Sequence, residues 1–315
     1  MFFQTNTKIN GPTWNLLVDW YQVFQYDFMT NAFIAGTIVA VLAGVVGYFV
    51  VLRRLGFACD ALSHGGFAGA TGAVVLGQDA FLGLLVFTSV TGGFMGLLGD
   101  RIRGRDVAIG GTLAFSLALG SLFLTISTKF AGQAVNILFG NVLAISRSDL
   151  IFVAVFAGLG LLMLGAMYRP LLFSSVDVEI ADARGVPVRF LSVAFMVLLA
   201  VTVSASVQVV GVLLIFGLLI LPAAAAQHLT AQPSRAIALA VVLSVAYVWI
   251  GLLVCFYLPY PPSFFITAFA FVTFVGVRGL SPGVAGGRRP GASVREHRHA
   301  QALLSAEQDG SRDSG

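Results

Sequence analysis

An aspartate and a histidine stand four residues apart in the sequence CDALSHGG, which covers residues 59–66. If this segment is helical, Asp60 and His64 project from the same face, with about 5–6 Å between their Cβ atoms. A carboxylate oxygen and an imidazole nitrogen together suit Zn²⁺, Mn²⁺ or Fe²⁺. The pair therefore predicts a site for a divalent transition metal. The alternative interpretation is an Asp–His hydrogen bond that only helps helices to pack.

The composition around this pair is that of a membrane protein. Hydrophobic residues make up 58% of the chain and charged residues only 10%, with a mean hydropathy of +0.93. A soluble globular domain carries more charge on its surface than this. The uncharged runs Phe28–Leu52, Ala80–Gly99 and Val107–Thr128 contain 25, 20 and 22 residues. About 20 apolar residues cross the ~30 Å hydrocarbon core as a helix. The sequence therefore predicts an all-α, polytopic membrane protein.

The apolar segments predict about nine transmembrane helices, or eight if one weak segment does not cross. The stretch Phe190–Gln227 has 38 uncharged residues, too many for one crossing, so we expect it to turn near Gln208–Gly211. The predicted spans are 28–52, 56–77, 80–99, 107–128, 150–168, 190–208, 211–228, 236–258 and 263–277.

These spans place the Asp–His pair inside the membrane. Asp60 is the one acidic residue assigned to a span, and exposing it to lipid would cost at least about 2.5–3.5 kcal/mol. Intramembrane ionisable residues are usually functional, so we favour the metal site over simple helix packing. Cys59 points about 100° away from Asp60 around a helix. We interpret Cys59 as a small buried residue and not as a third ligand.

The basic residues predict the orientation and the non-spanning parts. With nine spans, 15 of the 18 Lys and Arg residues fall on one side, which the positive-inside rule makes cytoplasmic. Because these residues are spread along loops, the basic pI does not indicate binding to nucleic acid. We expect an extracytoplasmic amphipathic arm at 1–27, a transmembrane permease domain at 28–280 and a disordered cytoplasmic tail at 281–315.

The sequence contains none of the motifs of an ATP-hydrolysing enzyme. Lys8 and Lys129 are its two lysines, and neither lies in a GxxxxGK[ST] loop. GxSxG and HExxH motifs are also absent. We therefore expect this chain not to be an enzyme. If ATP drives its work, a partner subunit must hydrolyse the ATP.

Several segments resemble the permease subunits of bacterial zinc/manganese ABC importers, the ABC-3 family. The most specific is YFVVLRRLGFACDALSHGGFAG, which contains the Asp–His pair. Further similar segments follow in the family's order, and together they cover about residues 28–280. They are DVAIGGTLAFSLALG (106–120), ILFGNVLAIS (137–146), VDVEIADARGV (176–186) and VVGVLLIFGLLILPAAAAQ (209–227).

The resemblance implies a type II ABC importer permease-like bundle in the bacterial cytoplasmic (inner) membrane. Such a permease is a homodimer, or a pair of related chains, that carries a divalent metal inward. The metal would be zinc or manganese, with ferrous iron as a third candidate. An extracytoplasmic metal-binding lipoprotein would deliver the ion, and cytoplasmic ATPase subunits would power the transport. The metal would be cargo, and no cofactor would be bound permanently.

The family's motifs also assign roles to individual residues. Its D-x-x-x-H pattern falls on Asp60 and His64, and two copies facing each other would supply two carboxylates and two imidazoles. We expect the family's ATPase-coupling segment to form a short cytoplasmic helix here, although such a helix could also simply lie on the membrane. That segment, roughly D-x-E-x-A-x-x-x-G, falls on Asp177, Glu179, Ala181 and Gly185.

Two other functions stay open at this point. The chain could be a secondary transporter that uses Asp60 and His64 as a proton or metal relay. It could also be a permease of the same architecture for haem, a siderophore or cobalamin, although those cargoes do not need a metal-ligand pair. The identity of the metal stays open as well. Aspartate plus histidine serves zinc, manganese and ferrous iron alike, and SHGGFAG differs from the SHAVLPG common in manganese members.

Overall fold

The computed structural model of the chain is mostly helical in the part that it describes, and no strand occurs there. That part comprises residues 26–98, 105–126, 137–140, 142–258 and 260–280. A short 3₁₀ helix covers Val142–Ala144. The α-helices are α1 Asp27–Leu52, α2 Gly56–Val75, α3 Ala80–Leu98, α4 Arg105–Ile126, α5 Arg147–Val176, α6 Val178–Ala183, α7 Val188–Val210, α8 Val212–Leu229, α9 Pro233–Tyr257 and α10 Pro262–Leu280.

The predicted all-helical membrane fold is confirmed, and each of the nine predicted spans falls on a helix. Seven of these helices, all except α2 and α8, are long and apolar enough to cross a membrane. The apolar part of α8, Leu214–Leu229, is shorter. Helix α2 is less apolar, but 14 of its 20 residues are buried against other helices. A helix enclosed by protein does not need the hydropathy that contact with lipid demands.

Helix α5 extends beyond the predicted membrane span at both ends. The predicted span ended at residue 168, before the charge of Arg169, but the helix has 30 residues and continues through Pro170 to Val176. Arg169 is exposed, so its charge lies outside the packed bundle and does not interrupt the helix. At its other end, α5 begins with a capping box between Ser146 and Asp149.

The predicted turn between the sixth and seventh spans is confirmed at Gly211. This residue separates α7 from α8 and has a φ of 92°, a backbone conformation that glycine adopts without steric cost. A side chain at Gly211 would also collide with the backbone of Phe139 and Gly140. Glycine is therefore required here both for the turn and for the close approach of the 137–140 segment.

The core of the bundle is built around α1 and α7. In their most apolar stretches, 67% of α1 and 72% of α7 is buried, whereas only 17% of α4 and of α10 is. Helix α2 packs against α3, α4 and α7, which places the Asp–His segment beside the core. The predicted arm at 1–27 and tail at 281–315 lie outside the described residues, apart from Tyr26 and Asp27 at the start of α1.

Candidate functional site

The turn before α2 fixes where the Asp–His pair enters the bundle. Helix α1 ends at Leu52 with Arg53 as its C-cap, and Arg54 adopts a φ of 57°. The N–H of Leu55 then donates to the carbonyl of Val50 at 2.8 Å, which closes the end of α1. Helix α2 begins one residue later at Gly56. Asp60 therefore lies in the second turn of α2, with His64 one turn beyond it.

Asp60 and His64 lie on one face of α2, as predicted, but they do not form a hydrogen bond. Nε2 of His64 lies 3.8 Å from Oδ1 of Asp60, beyond hydrogen-bonding distance. Nδ1 of His64 is buried and has no hydrogen-bond partner in the part of the chain that the structure describes. The side chains are 19% exposed for His64 and 37% for Asp60. The pair is thus partly enclosed and remains open on one side.

The separation of the two donor atoms is compatible with a shared metal ion. Zinc binds imidazole nitrogen and carboxylate oxygen at about 2.0–2.2 Å, so one ion can touch two donors up to about 4 Å apart. The observed 3.8 Å lies within this reach. Among the described residues, no group of three or more His, Cys, Asp and Glu side chains comes together. Within the described ranges, the pair itself is therefore the largest group of such side chains at this place.

Hydroxyl groups from two neighbouring helices face α2 close to His64. A Cβ on Gly65 would lie 3.7 Å from the hydroxyl oxygen of Ser116, and one on Gly66 would lie 3.0 Å from that of Thr88. Both hydroxyls are buried and have no hydrogen-bond partner within the described ranges. The sequence did not single out Thr88 or Ser116, because isolated hydroxyls in apolar spans carry no distinctive spacing.

The predicted coupling segment contains a short helix, and its motif residues have clear local roles. Asp177 caps α6, since its Oδ1 accepts from the N–H of Ile180 at 3.0 Å. Ala181 is fully buried, and its carbonyl accepts a hydrogen bond from the N–H of Val186 at 3.1 Å. Gly185 has a φ of 78° and reverses the chain after the helix.

The outer face of α6 is exposed and mixed in character. Glu179 is exposed. Beside it, Val178 and Ile180 are 56% and 50% exposed. At the end of α6, the guanidinium carbon of Arg184 lies 5.5 Å from the ring centroid of Phe173 in α5, a cation–π contact that holds the short helix to the long one.

A cavity of about 390 Å³ opens at the end of the bundle where α5 begins, opposite to α6. Asp79, Asp149 and Gln208 contribute its polar lining. Both carboxylates already have structural partners. Asp79 caps α3 by accepting from the N–H of Phe81 at 2.9 Å, and Asp149 accepts from Nε2 of Gln208 at 3.2 Å. These residues were not predicted as a site, and the S-x-x-D spacing before α5 indicates only a helix cap.

Seven long apolar helices, packed with two further helices and joined in part by a short exposed one, define a polytopic helical membrane protein. The chain belongs to the ABC 3 transport family, which it matches over residues 25–278. This membership confirms the resemblance derived from the sequence motifs.

Similar proteins include membrane proteins of transport systems that are named for two different metals. The manganese transport system membrane protein MntC of Halalkalibacterium halodurans is 35% identical over 69% of this chain and 74% of its own length. The high-affinity zinc uptake system membrane protein ZnuB of Buchnera aphidicola is 28% identical over 76% of this chain and 93% of its own length. A chain of the PsaBC structure from Streptococcus pneumoniae, in complex with Fab, is 30% identical. It superposes with a TM-score of 0.76 over 84% of this chain and 96% of that one.

Proposed function

We propose that this chain is the membrane permease subunit of an ATP-driven importer for Mn²⁺ or Zn²⁺, with Fe²⁺ as a third candidate cargo. The observation that carries the proposal is the geometry of Asp60 and His64. Their donor atoms lie 3.8 Å apart without a hydrogen bond, on a helix packed among other membrane helices. A hard oxygen and an imidazole nitrogen at this separation suit a transient divalent transition metal.

Two copies of the chain would complete the metal site. Asp60 is 37% exposed in the single chain, although it lies in a membrane helix, where contact of a carboxylate with lipid costs about 2.5–3.5 kcal/mol or more. A second copy placed against this face of α2 would cover the carboxylate and add its own Asp60 and His64. The few ligands per chain also suit transport, because a site that binds too tightly does not release its ion.

Helix α6 would receive the ATPase subunit on the cytoplasmic side. The support for this role is the exposed face formed by Val178, Glu179 and Ile180, together with the two long helices that α6 joins. The positive-inside distribution of Lys and Arg supports a cytoplasmic location for this end and for the C-terminus. The opposite end, with the cavity near Asp149, would then face the extracytoplasmic lipoprotein that delivers the metal.

Two alternative functions have less support. A secondary transporter with a proton relay at Asp60 and His64 would not need the exposed helix α6. A permease for a metal chelate would not need a pair of bare metal ligands. The energy source of uptake distinguishes the secondary transporter from the ATP-driven importer. Uptake that survives ATP depletion and collapses with an uncoupler would contradict the ATP-driven function.

The decisive experiment measures uptake of radiolabelled manganese and zinc in cells that lack the gene and carry a plasmid-borne copy. Asp60→Asn keeps the shape of the side chain and removes the charge that attracts a dication. We expect it to abolish uptake of the transported metal at unchanged membrane abundance. Asp106→Asn is the matched control, because Asp106 is exposed in the first turn of α4. Normal transport by the Asp60→Asn variant would show that Asp60 and His64 serve only the packing of the helices.

A further inference from the structure

We propose that Arg53 is a positioning residue that ties the coupling segment around α6 to the helix that carries Asp60 and His64. This inference rests on the proposed function, in which α6 receives the movement of the ATPase. Arg53 lies in the turn between α1 and α2, three residues before α2 begins. Its side chain reaches across to the two helices on either side of α6.

Three contacts of the Arg53 guanidinium group reach the helices that flank α6. Nε donates to the hydroxyl of Ser175 at 2.9 Å, and Nη2 donates to the hydroxyl of Ser174 at 2.8 Å. The guanidinium carbon also lies 5.5 Å from the centroid of the Phe195 ring. These contacts use the planar fork and the cation–π capacity that are specific to arginine.

The three contacts join the chain entering α6 to the chain leaving it. Ser174 and Ser175 belong to the last turn of α5, immediately before the α6 cap at Asp177. Phe195 lies in α7, the helix that follows α6. Because one side chain holds both flanking helices, a displacement of α6 relative to the bundle is passed to residue 53 and hence to the start of α2.

The partners of Arg53 are themselves held in place. Ser174 and Phe195 are almost completely buried. Each serine hydroxyl donates to the carbonyl of Leu171, at 3.1 Å from Ser174 and 2.5 Å from Ser175, so both oxygens present fixed lone pairs to the guanidinium. The preceding residue, Phe173, carries the contact with Arg184 at the end of α6. A continuous series of contacts therefore runs from α6 to Arg53.

The test uses the permease assembled with its ATPase subunit in proteoliposomes, with the metal-binding lipoprotein added on the opposite side and Mn²⁺ and Zn²⁺ supplied separately. The quantity measured is the amount of metal imported per ATP hydrolysed. Arg53→Lys keeps the charge and loses the fork, and we expect it to lower this ratio severalfold. Arg54→Lys is the matched control, because Arg54 is the exposed neighbour in the same turn, and its ratio should not change.

A second variant keeps the test decisive if Arg53→Lys fails to assemble. The double substitution Ser174→Ala with Ser175→Ala removes the same hydrogen bonds from the other side and should lower the ratio similarly. Combined with Arg53→Lys it should add little, because both changes break one interaction. An unchanged ratio, or a loss of abundance with the ratio preserved, overturns the positioning role. A wild-type complex that imports neither metal on addition of ATP would instead refute the proposed function.

Discussion

Oδ1 of Asp60 and Nε2 of His64 face each other across 3.8 Å on consecutive turns of α2. The distance is too long for a hydrogen bond and short enough for one metal ion to touch both atoms. Nδ1 of His64 is buried without a hydrogen-bond partner among the described residues, so no such partner holds the ring in a fixed orientation. The separation of the two atoms is therefore compatible with a metal ion bound between them.

Replacing His64 tests whether the imidazole is a ligand. We expect His64→Ala to lower metal uptake by about tenfold or more, which corresponds to a loss of at least about 1.4 kcal/mol of binding. The membrane abundance should stay close to that of the wild type, because the side chain makes no hydrogen bond within the described residues that would be lost. Radiolabelled uptake normalised to abundance is the measurement. Wild-type uptake by His64→Ala would exclude a ligand role.

Replacing Asp177 separates the fold of α6 from its proposed coupling role. Asp177→Ala removes the cap that accepts from the N–H of Ile180, at a cost of about 0.5–2 kcal/mol to the helix. Asp177→Asn keeps an acceptor at the same place. We therefore expect Asp177→Ala to lower metal import per ATP hydrolysed, and Asp177→Asn to lower it less. Equal, wild-type ratios for both variants would show that the cap is not needed for coupling.

Glu179 tests the docking face alone, because its side chain is exposed and does not cap the helix. We expect Glu179→Gln to weaken binding of the ATPase subunit without lowering the stability of the permease. Co-purification of the ATPase at graded salt concentrations measures this effect, since an exposed charge pair is weakened by salt. Co-purification equal to that of the wild type at every salt concentration would show that Glu179 does not contribute to binding of the ATPase.

Gly211 is expected to be intolerant of any side chain. Gly211→Ala would have to adopt a φ of 92° and would collide with Phe139 and Gly140. We expect it to destabilise the protein by more than about 1 kcal/mol, measured as a lower thermal unfolding temperature in detergent. Gly158→Ala in α5 is the control, because a Cβ there meets no neighbouring atom. Equal unfolding temperatures for the two variants would contradict the proposed backbone constraint.

Asp149 is expected to serve the fold and not the transport step. Asp149→Ala removes the capping box with Ser146 and the partner of Gln208, at a cost of about 0.5–2 kcal/mol. We expect a lower unfolding temperature and normal metal uptake per folded molecule. The reverse outcome, normal stability with reduced uptake, would assign the cavity at this end of the bundle to the metal pathway.

The sequence predicted the features that repeat locally and missed those that depend on distant contacts. Apolar segments located the predicted spans, and the i, i+4 spacing placed Asp60 and His64 on one face. The predicted span 150–168 did not reveal the full length of α5, because a charge such as that of Arg169 indicates where lipid contact ends and not where a helix ends. The contact of Arg53 with Ser174 spans 121 positions. No periodic pattern encodes such a contact, since it depends on how α1 and α5 pack.

The length of α5 sets a geometric condition on the membrane itself. Its 30 residues make a rod of about 45 Å, whereas the hydrocarbon core is about 30 Å thick. If the helix stands close to the membrane normal, its last turns extend past the acyl chains and hold α6 outside the hydrocarbon core. A bilayer with longer acyl chains would bury part of this projection and bring α6 closer to the lipid surface. The accessibility of α6 is therefore linked to bilayer thickness as well as to the packing of the bundle.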